Sequence, residues 1–246
     1  YEATLVADNS PYDQFMDGNP NAISEQAVLG VDLFRSQARG QCITCHEGAE
    51  LTNASVRQVR ADPTRIRDGQ AADRVFNNTG VLGTIEDLGL GAKDNLGNWL
   101  STVKRLSPPP PEPIVSDGAF KVPGLRNVEL PAPYFLTGGH VDLPAVIDFY
   151  HRAGDAHVGM VTLDGTHVEL MSILGLTPEE KAAMLAFLVS LTDERVRFQQ
   201  APFDHPQLFI PNGPGAPRMI MPGDPLFEIP AVGRFGGQPQ KKFLEP

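Results

Sequence analysis

The sequence predicts a mainly α-helical chain with long ordered loops, and three observations predict it. Apolar residues recur at helical spacing in three capped stretches. Glycine and proline are both frequent, 24 and 23 of 246 residues, which favours long loops over a bundle of long helices. The two cysteines of the chain stand in Gln41 to Gly48, QCITCHEG, directly after the first of those helices.

C-x-x-C-H is the attachment signature of a c-type haem. Two thiols three positions apart, Cys42 and Cys45, can each add to one porphyrin vinyl group, and the adjacent imidazole of His46 then lies under the iron as the proximal ligand. A structural zinc needs about four ligands, and the chain has no second cysteine pair. A thioredoxin-type redox pair needs a strand–helix alternation around it, which the sequence lacks, and a plain disulfide leaves His46 unexplained. A helix that delivers its chain to this motif is how small c-type cytochromes begin. The fold class is therefore mainly α: a cytochrome c-like haem domain with long loops and an extended Pro/Gly-rich C-terminal tail. One covalent haem c is expected.

The net charge of −10 disfavours nucleic acid, whose phosphates call for clustered Lys and Arg. No apolar run approaches the length of a membrane span. The chain begins at Tyr1, inside what reads as a continuing segment, so it is expected to be incomplete at its amino terminus. Covalent haem attachment implies export, and the expected location is periplasmic or extracellular.

Residues 1–198 form the expected haem domain and residues 199–246 the tail. Residues 1–23 read as polar and turn-rich after a short apolar start. The first helix opens at Ser24, a good N-cap, and Val28, Val31, Leu33 and Phe34 form its stripe, with Leu29 widening it. Gly40 stops it. Residues 47–106 read as loop with short helical pieces. Arg57, Arg60, Arg65 and Arg67 form a small basic cluster there, read first as a solvated face and second as a contact for haem propionates or a partner. Trp99, the only tryptophan, is expected in the core. The proline-rich stretch 107–118 should run extended as a surface strap. A second helix opens after Asp142, with Leu143, Val146, Ile147 and Tyr150 on one face, and Gly154 ends it. The third has Thr177 as N-cap, Pro178 at its first position and Glu180 completing a capping box. Its stripe of Met184, Phe187, Leu188 and Leu191 should pack across the first helix. The tail carries apolar residues without a period and should be extended, with little regular structure, wrapping a surface or covering a partner.

Haem function turns on the sixth iron position. Met160, Met171 and Met184 are soft candidates that raise the potential, with Met184 better read as core. His140, His151, His157 and His167 would lower it, and Tyr150 would favour ferric iron. Spacing alone does not choose among them.

Five blocks in one order, QCITCHEGAELTN, FNNTGV with EDLGLGAKD, FKVPGLRNVELPAPYFLTGGH, AVIDFYHRAGD and LGLTPEEKAAMLAFLVSLTD, resemble the carboxy-terminal haem domain of the bacterial dihaem cytochrome c peroxidase / MauG family. The resemblance runs from about Tyr1 to Asn212. It implies a second haem domain, or a redox partner protein, outside this sequence, with hydrogen peroxide as oxidant of the complete protein. It makes this domain the relay that passes electrons to a peroxide-reducing haem. The distal ligand in the family is a Met or, in the MauG-like branch, a Tyr, and the matching position here is Tyr150; Met160 and Met171 remain the alternatives. The family also tends to hold a calcium ion through carbonyls near the PYF block. Here Pro131 stands where a Thr is common, which weakens that expectation, while the Pro133 carbonyl remains. Arg126, in LRNV, matches a family position near the haem. The competing expectations are a stand-alone monohaem electron carrier, a five-coordinate catalytic haem in this chain, and a subunit whose tail holds an assembly together.

Overall fold

The computed structural model describes residues 4–62, 75–83, 86–101, 117–155, 174–211 and 226–239. Their elements are helices α1 (Pro11–Met16), α2 (Glu25–Arg35), α3 (Val56–Ala61), α4 (Leu143–His151), α5 (Pro178–Ser190) and α6 (Glu194–Arg197), with a 3-10 turn at Cys42–Thr44. Two short antiparallel pairs complete them: β1 (Phe76–Asn77) with β2 (Phe120–Lys121), and β3 (Leu208–Pro211) with β4 (Leu226–Ile229).

The predicted caps form. Ser24 Oγ accepts from the Ala27 amide at 3.1 Å, and Asp142 Oδ1 accepts from the Ala145 amide at 2.8 Å. Thr177 and Glu180 close a reciprocal capping box at the start of α5. These caps satisfy amides that a helix start leaves without an internal partner. The sequence reading missed α1, where Ser10 and Asp13 make the same box with Pro11 at the first position.

The main core is the packing of α2 on α5. Ala27, Val31, Leu33 and Phe34 bury against Ala183, Met184, Phe187 and Leu188. The rings of Phe34 and Phe187 meet at 4.9 Å, and Tyr12 of α1 meets Phe187 edge-on at 5.3 Å. Arg39, just past α2, binds Glu180 of α5 at 2.6 Å. Gly30 permits the close helix approach, because a methyl group there would overlap the Ala183 carbonyl. Gly30→Ala should therefore push the helices apart and cost about 1–3 kcal/mol in denaturant unfolding. An unchanged midpoint would mean that the pair has room to spare.

The loops differ from expectation at named residues. Leu29 is 46% exposed and does not widen the α2 stripe; Gly30 lies on the packed face instead. Trp99 is 36% exposed, with the Lys93 ammonium 4.3 Å from its ring centre, so it is not a core residue. Arg57 and Arg60 lie on an exposed face; Arg65 and Arg67 fall outside the described residues, as does most of the 107–118 strap. In the tail, β3 and β4 form a ribbon where little regular structure was expected. Leu208, Ile210 and Phe227 line one of its faces and Phe209 and Leu226 lie on the other, and all five side chains are exposed. The ribbon is tied back through a Gly237 amide to Phe198 carbonyl bond of 2.8 Å and the mutual His205–Val232 pair. Among the described residues no helix is long and apolar enough to cross a membrane.

Candidate functional site

The Cys42–Thr44 turn begins seven residues beyond the last residue of α2, after Gln41 takes a left-handed φ of 58°. That sharp reversal turns the motif back toward the core. Cys42 packs beside the main α2/α5 core, and Cys45 packs beside a second, smaller cluster of Ala54, Val75 and Val122. The motif thus straddles two apolar clusters. Strand β2 extends this arrangement: the Val122 amide donates to Val75 carbonyl at 3.0 Å, and Thr52 Oγ1 donates to Val122 carbonyl at 2.7 Å.

His46 Nδ1 lies 3.0 Å from the Leu51 carbonyl oxygen. A carbonyl can only accept, so the proton belongs on Nδ1 and the lone pair of Nε2 is left for a metal. Burial pulls the imidazole pKa below its ordinary value against the opposing pull of the Leu51 and Pro123 backbone carbonyls, which favours the neutral ring that a metal ligand requires.

Cys42 and Cys45 form no disulfide with each other, and Cys42 Sγ donates to Gly40 carbonyl at 3.2 Å. Burial pushes the Cys42 thiol up to about 12. Among the described residues no group of three or more His, Cys, Asp or Glu side chains stands ready to hold a metal ion by itself, and the apolar surround suits sulfurs held as neutral thioethers. Donor chemistry, the Nδ1 anchor and the apolar surroundings therefore fit a covalent c-type haem held by Cys42, Cys45 and His46.

Tyr150, near the end of α4, lies against the main core as Cys42 does. Burial, with Cys42 and Cys45 as neighbours, raises its phenol well above the ordinary tyrosine range. The structure thus brings Tyr150 to the cysteine motif. It does not bring Arg126 into the open. The Arg126 guanidinium donates to Ala49 carbonyl at 2.9 Å and Ala7 carbonyl at 2.8 Å, and binds both Asp13 oxygens at 2.8 Å. These bonds make Arg126 a structural clamp that ties α1 to the loop after the motif. Met160 and Met171 lie outside the described residues, and Met184 is buried in the core as read.

The Arg126 clamp has a pH signature. Burial pushes the Asp13 carboxyl upward, but hydrogen bonds from Arg126 and Ser10 outweigh it and hold the pKa below the ordinary value. Its stabilisation is complete above the ordinary carboxylate range and lost as pH falls through the lowered pKa. Asp13→Asn should cost about 1–3 kcal/mol at neutral pH, and the difference from wild type should vanish in acid. A pH-independent difference in denaturant unfolding would refute the pairing.

No family model matches the chain. Individual relatives do match. The chain is 28% identical over 196 residues to the cytochrome-c peroxidase IdrP2 of Denitromonas iodatirespirans, covering 79% of this chain and 47% of that protein. It is 25% identical over 199 residues to the methylamine utilization protein MauG of Methylophilus methylotrophus, covering 81% and 46%. A solved MauG-like protein associated with microbial copper homeostasis superposes with a TM-score of 0.54 at 29% identity, covering 80% of this chain and 51% of that one. Over most of its length the chain is thus similar to cytochrome c peroxidases and MauG proteins. It spans about half the length of the peroxidase and MauG relatives it matches. The resemblance read from the five sequence blocks is thereby shown.

Proposed function

We propose that this chain is the electron-relay haem domain of a dihaem cytochrome c peroxidase / MauG-like oxidoreductase. The observation that carries the reading is His46, anchored through Nδ1 and flanked by two half-buried cysteines, with Tyr150 brought to the same place. The haem would supply one-electron Fe(III)/Fe(II) chemistry. The residues of the chain do the rest. Cys42 and Cys45 would fix the porphyrin edge, His46 would present Nε2 to the metal, and Tyr150 would supply the distal oxygen ligand. Leu51 carbonyl holds the His46 ring against rotation, and the two apolar clusters exclude water. A harder anionic oxygen donor favours the ferric state, which suits a site that gives up electrons rather than one that binds oxygen.

The electrons would pass to a peroxide-reducing haem on a second domain or a separate partner, in the periplasm or outside the cell, with hydrogen peroxide as the acceptor. A calcium ion held by carbonyls around Pro133 belongs to the same reading, and chelation should then lower the melting temperature. The test of the whole is a pyridine haemochrome count with oxidised and reduced optical spectra. One covalent, low-spin haem per chain supports the relay. A wholly high-spin ferric haem favours the five-coordinate catalytic reading instead. A colourless protein with both thiols free ends both.

A further inference from the structure

Tyr150 is surrounded by an aromatic cluster whose cost the two hydrophobic cores do not explain. Phe135 has a φ of 61°, left-handed backbone that a bulky side chain rarely adopts. That turn carries its ring to His140 at 4.8 Å and 84°, to Phe149 at 4.6 Å, and to Tyr150 at 6.1 Å. Phe149 is fully buried, with His140 edge-on at 5.4 Å and Tyr150 edge-on at 5.2 Å. The loop is closed by a 2.7 Å bond from the Tyr134 amide to His140 carbonyl. At the other side of the cluster, His140 Nε2 lies 3.7 Å from Asp155, which also pairs with Arg152, and the Arg152 guanidinium sits 5.7 Å from the centre of Phe149.

Two features of this cluster are unfavourable taken alone. One is the Phe135 backbone. The other is His140 Nδ1, which is buried and has no hydrogen-bond partner among the described residues. An unpaired buried nitrogen destabilises relative to an apolar side chain of the same shape. Such strain, concentrated around a single tyrosine, is characteristic of a site whose geometry is held for use.

We propose that Phe135, His140 and Phe149 form a ring brace that fixes the orientation of Tyr150, making them positioning residues for the distal position. The proposal rests on the reading of Tyr150 as the distal ligand. Its content is steric: edge-to-face rings hold the phenol plane, and the His140 nitrogen itself makes no contact that the phenol needs. When the brace is loosened, the population with Tyr150 off the metal grows. An external ligand that competes for that coordination position binds in proportion to this population.

The test uses the haem-loaded full chain, read by electron paramagnetic resonance and by cyanide titration. His140→Ala should give a mixed low- and high-spin spectrum and tighten cyanide binding about tenfold, by growth of the competent fraction. Phe135→Leu, which keeps apolar volume but removes the ring, should move both readouts the same way. His140→Phe, which keeps the ring and removes the nitrogen, should behave as wild type. The proposal is overturned if His140→Ala and Phe135→Leu leave spectrum and cyanide affinity unchanged while Tyr150→Phe alters them. It is equally overturned if His140→Phe disturbs the spectrum as His140→Ala does, since the nitrogen would then carry the effect. If Tyr150→Phe itself changes nothing, the ligand assignment fails first, and that outcome is distinct from failure of the brace.

Discussion

Replacing Cys42 and Cys45 together with alanine should abolish covalently held haem. In the wild-type chain, acid–acetone extraction should leave the colour with the protein if each sulfur is bonded to the porphyrin edge as proposed. In the double variant the same extraction should leave the protein colourless, although His46 can still bind haem reversibly before extraction. The single variants should each retain haem through one remaining bond. The expectation follows from the C-x-x-C-H spacing and from the placement of the pair across two apolar clusters. Haem that survives extraction from the double variant would remove the central assignment. A second control separates binding from attachment: His46→Ala with both thiols intact should keep the covalent bond and lose the proximal ligand, giving a haem-stained polypeptide with a disturbed spectrum.

Tyr150→Phe is the second large effect. Phenylalanine keeps the ring against Phe149 and Phe135, so the fold should be retained. What is lost is the oxygen. The haem should pass from low-spin to high-spin, and its potential should rise by about a hundred millivolts or more, within the roughly 0.8 V that axial ligands span. A ferric-stabilising anionic donor has been removed, so the sign is upward. Removing a buried hydroxyl that lacks its metal partner should also leave the apo chain no less stable. An unchanged spectrum would move the distal assignment to Met160 or Met171.

The helices were legible where local chemistry alone dictates them. Ser24, Asp142 and Thr177 each place an acceptor before an apolar stripe, and a helix opens at each; the first ends at Arg35, short of the stop read at Gly40, because Ser36 already takes extended backbone. The same logic was present at Ser10-Pro11 with Asp13, but the stripe of α1 is one turn long and leaves no periodicity to detect. The cysteine motif was legible because its spacing is set by covalent chemistry rather than by packing. The His46 to Leu51 carbonyl contact was not, since it depends on a loop returning five residues later. Strand β1 pairs with a segment more than forty residues away through two residues each, too short for alternation to register. Leu29 and Trp99 were misplaced for a related reason: hydrophobicity favours burial, but which side of a helix or loop is covered depends on neighbours the sequence does not name. The Phe135, His140 and Phe149 cluster is joined by a left-handed backbone step at Phe135, which no propensity for phenylalanine would suggest.

The ribbon of β3 and β4 affects how the protein behaves in a tube. Among the described residues these two strands pair only with each other, so their outer edges can hydrogen-bond to another chain, and their faces offer Phe209, Phe227 and Leu226 to whatever arrives. Glu228 is the one charge on these strands, so the mutual repulsion of molecules carrying −10 is weakest there. Colloidal stability should therefore fall with added salt, which screens the rest of the surface but not this strip. Phe209→Lys should restore it: light scattering in high salt should stay flat for the variant while it climbs for the parent.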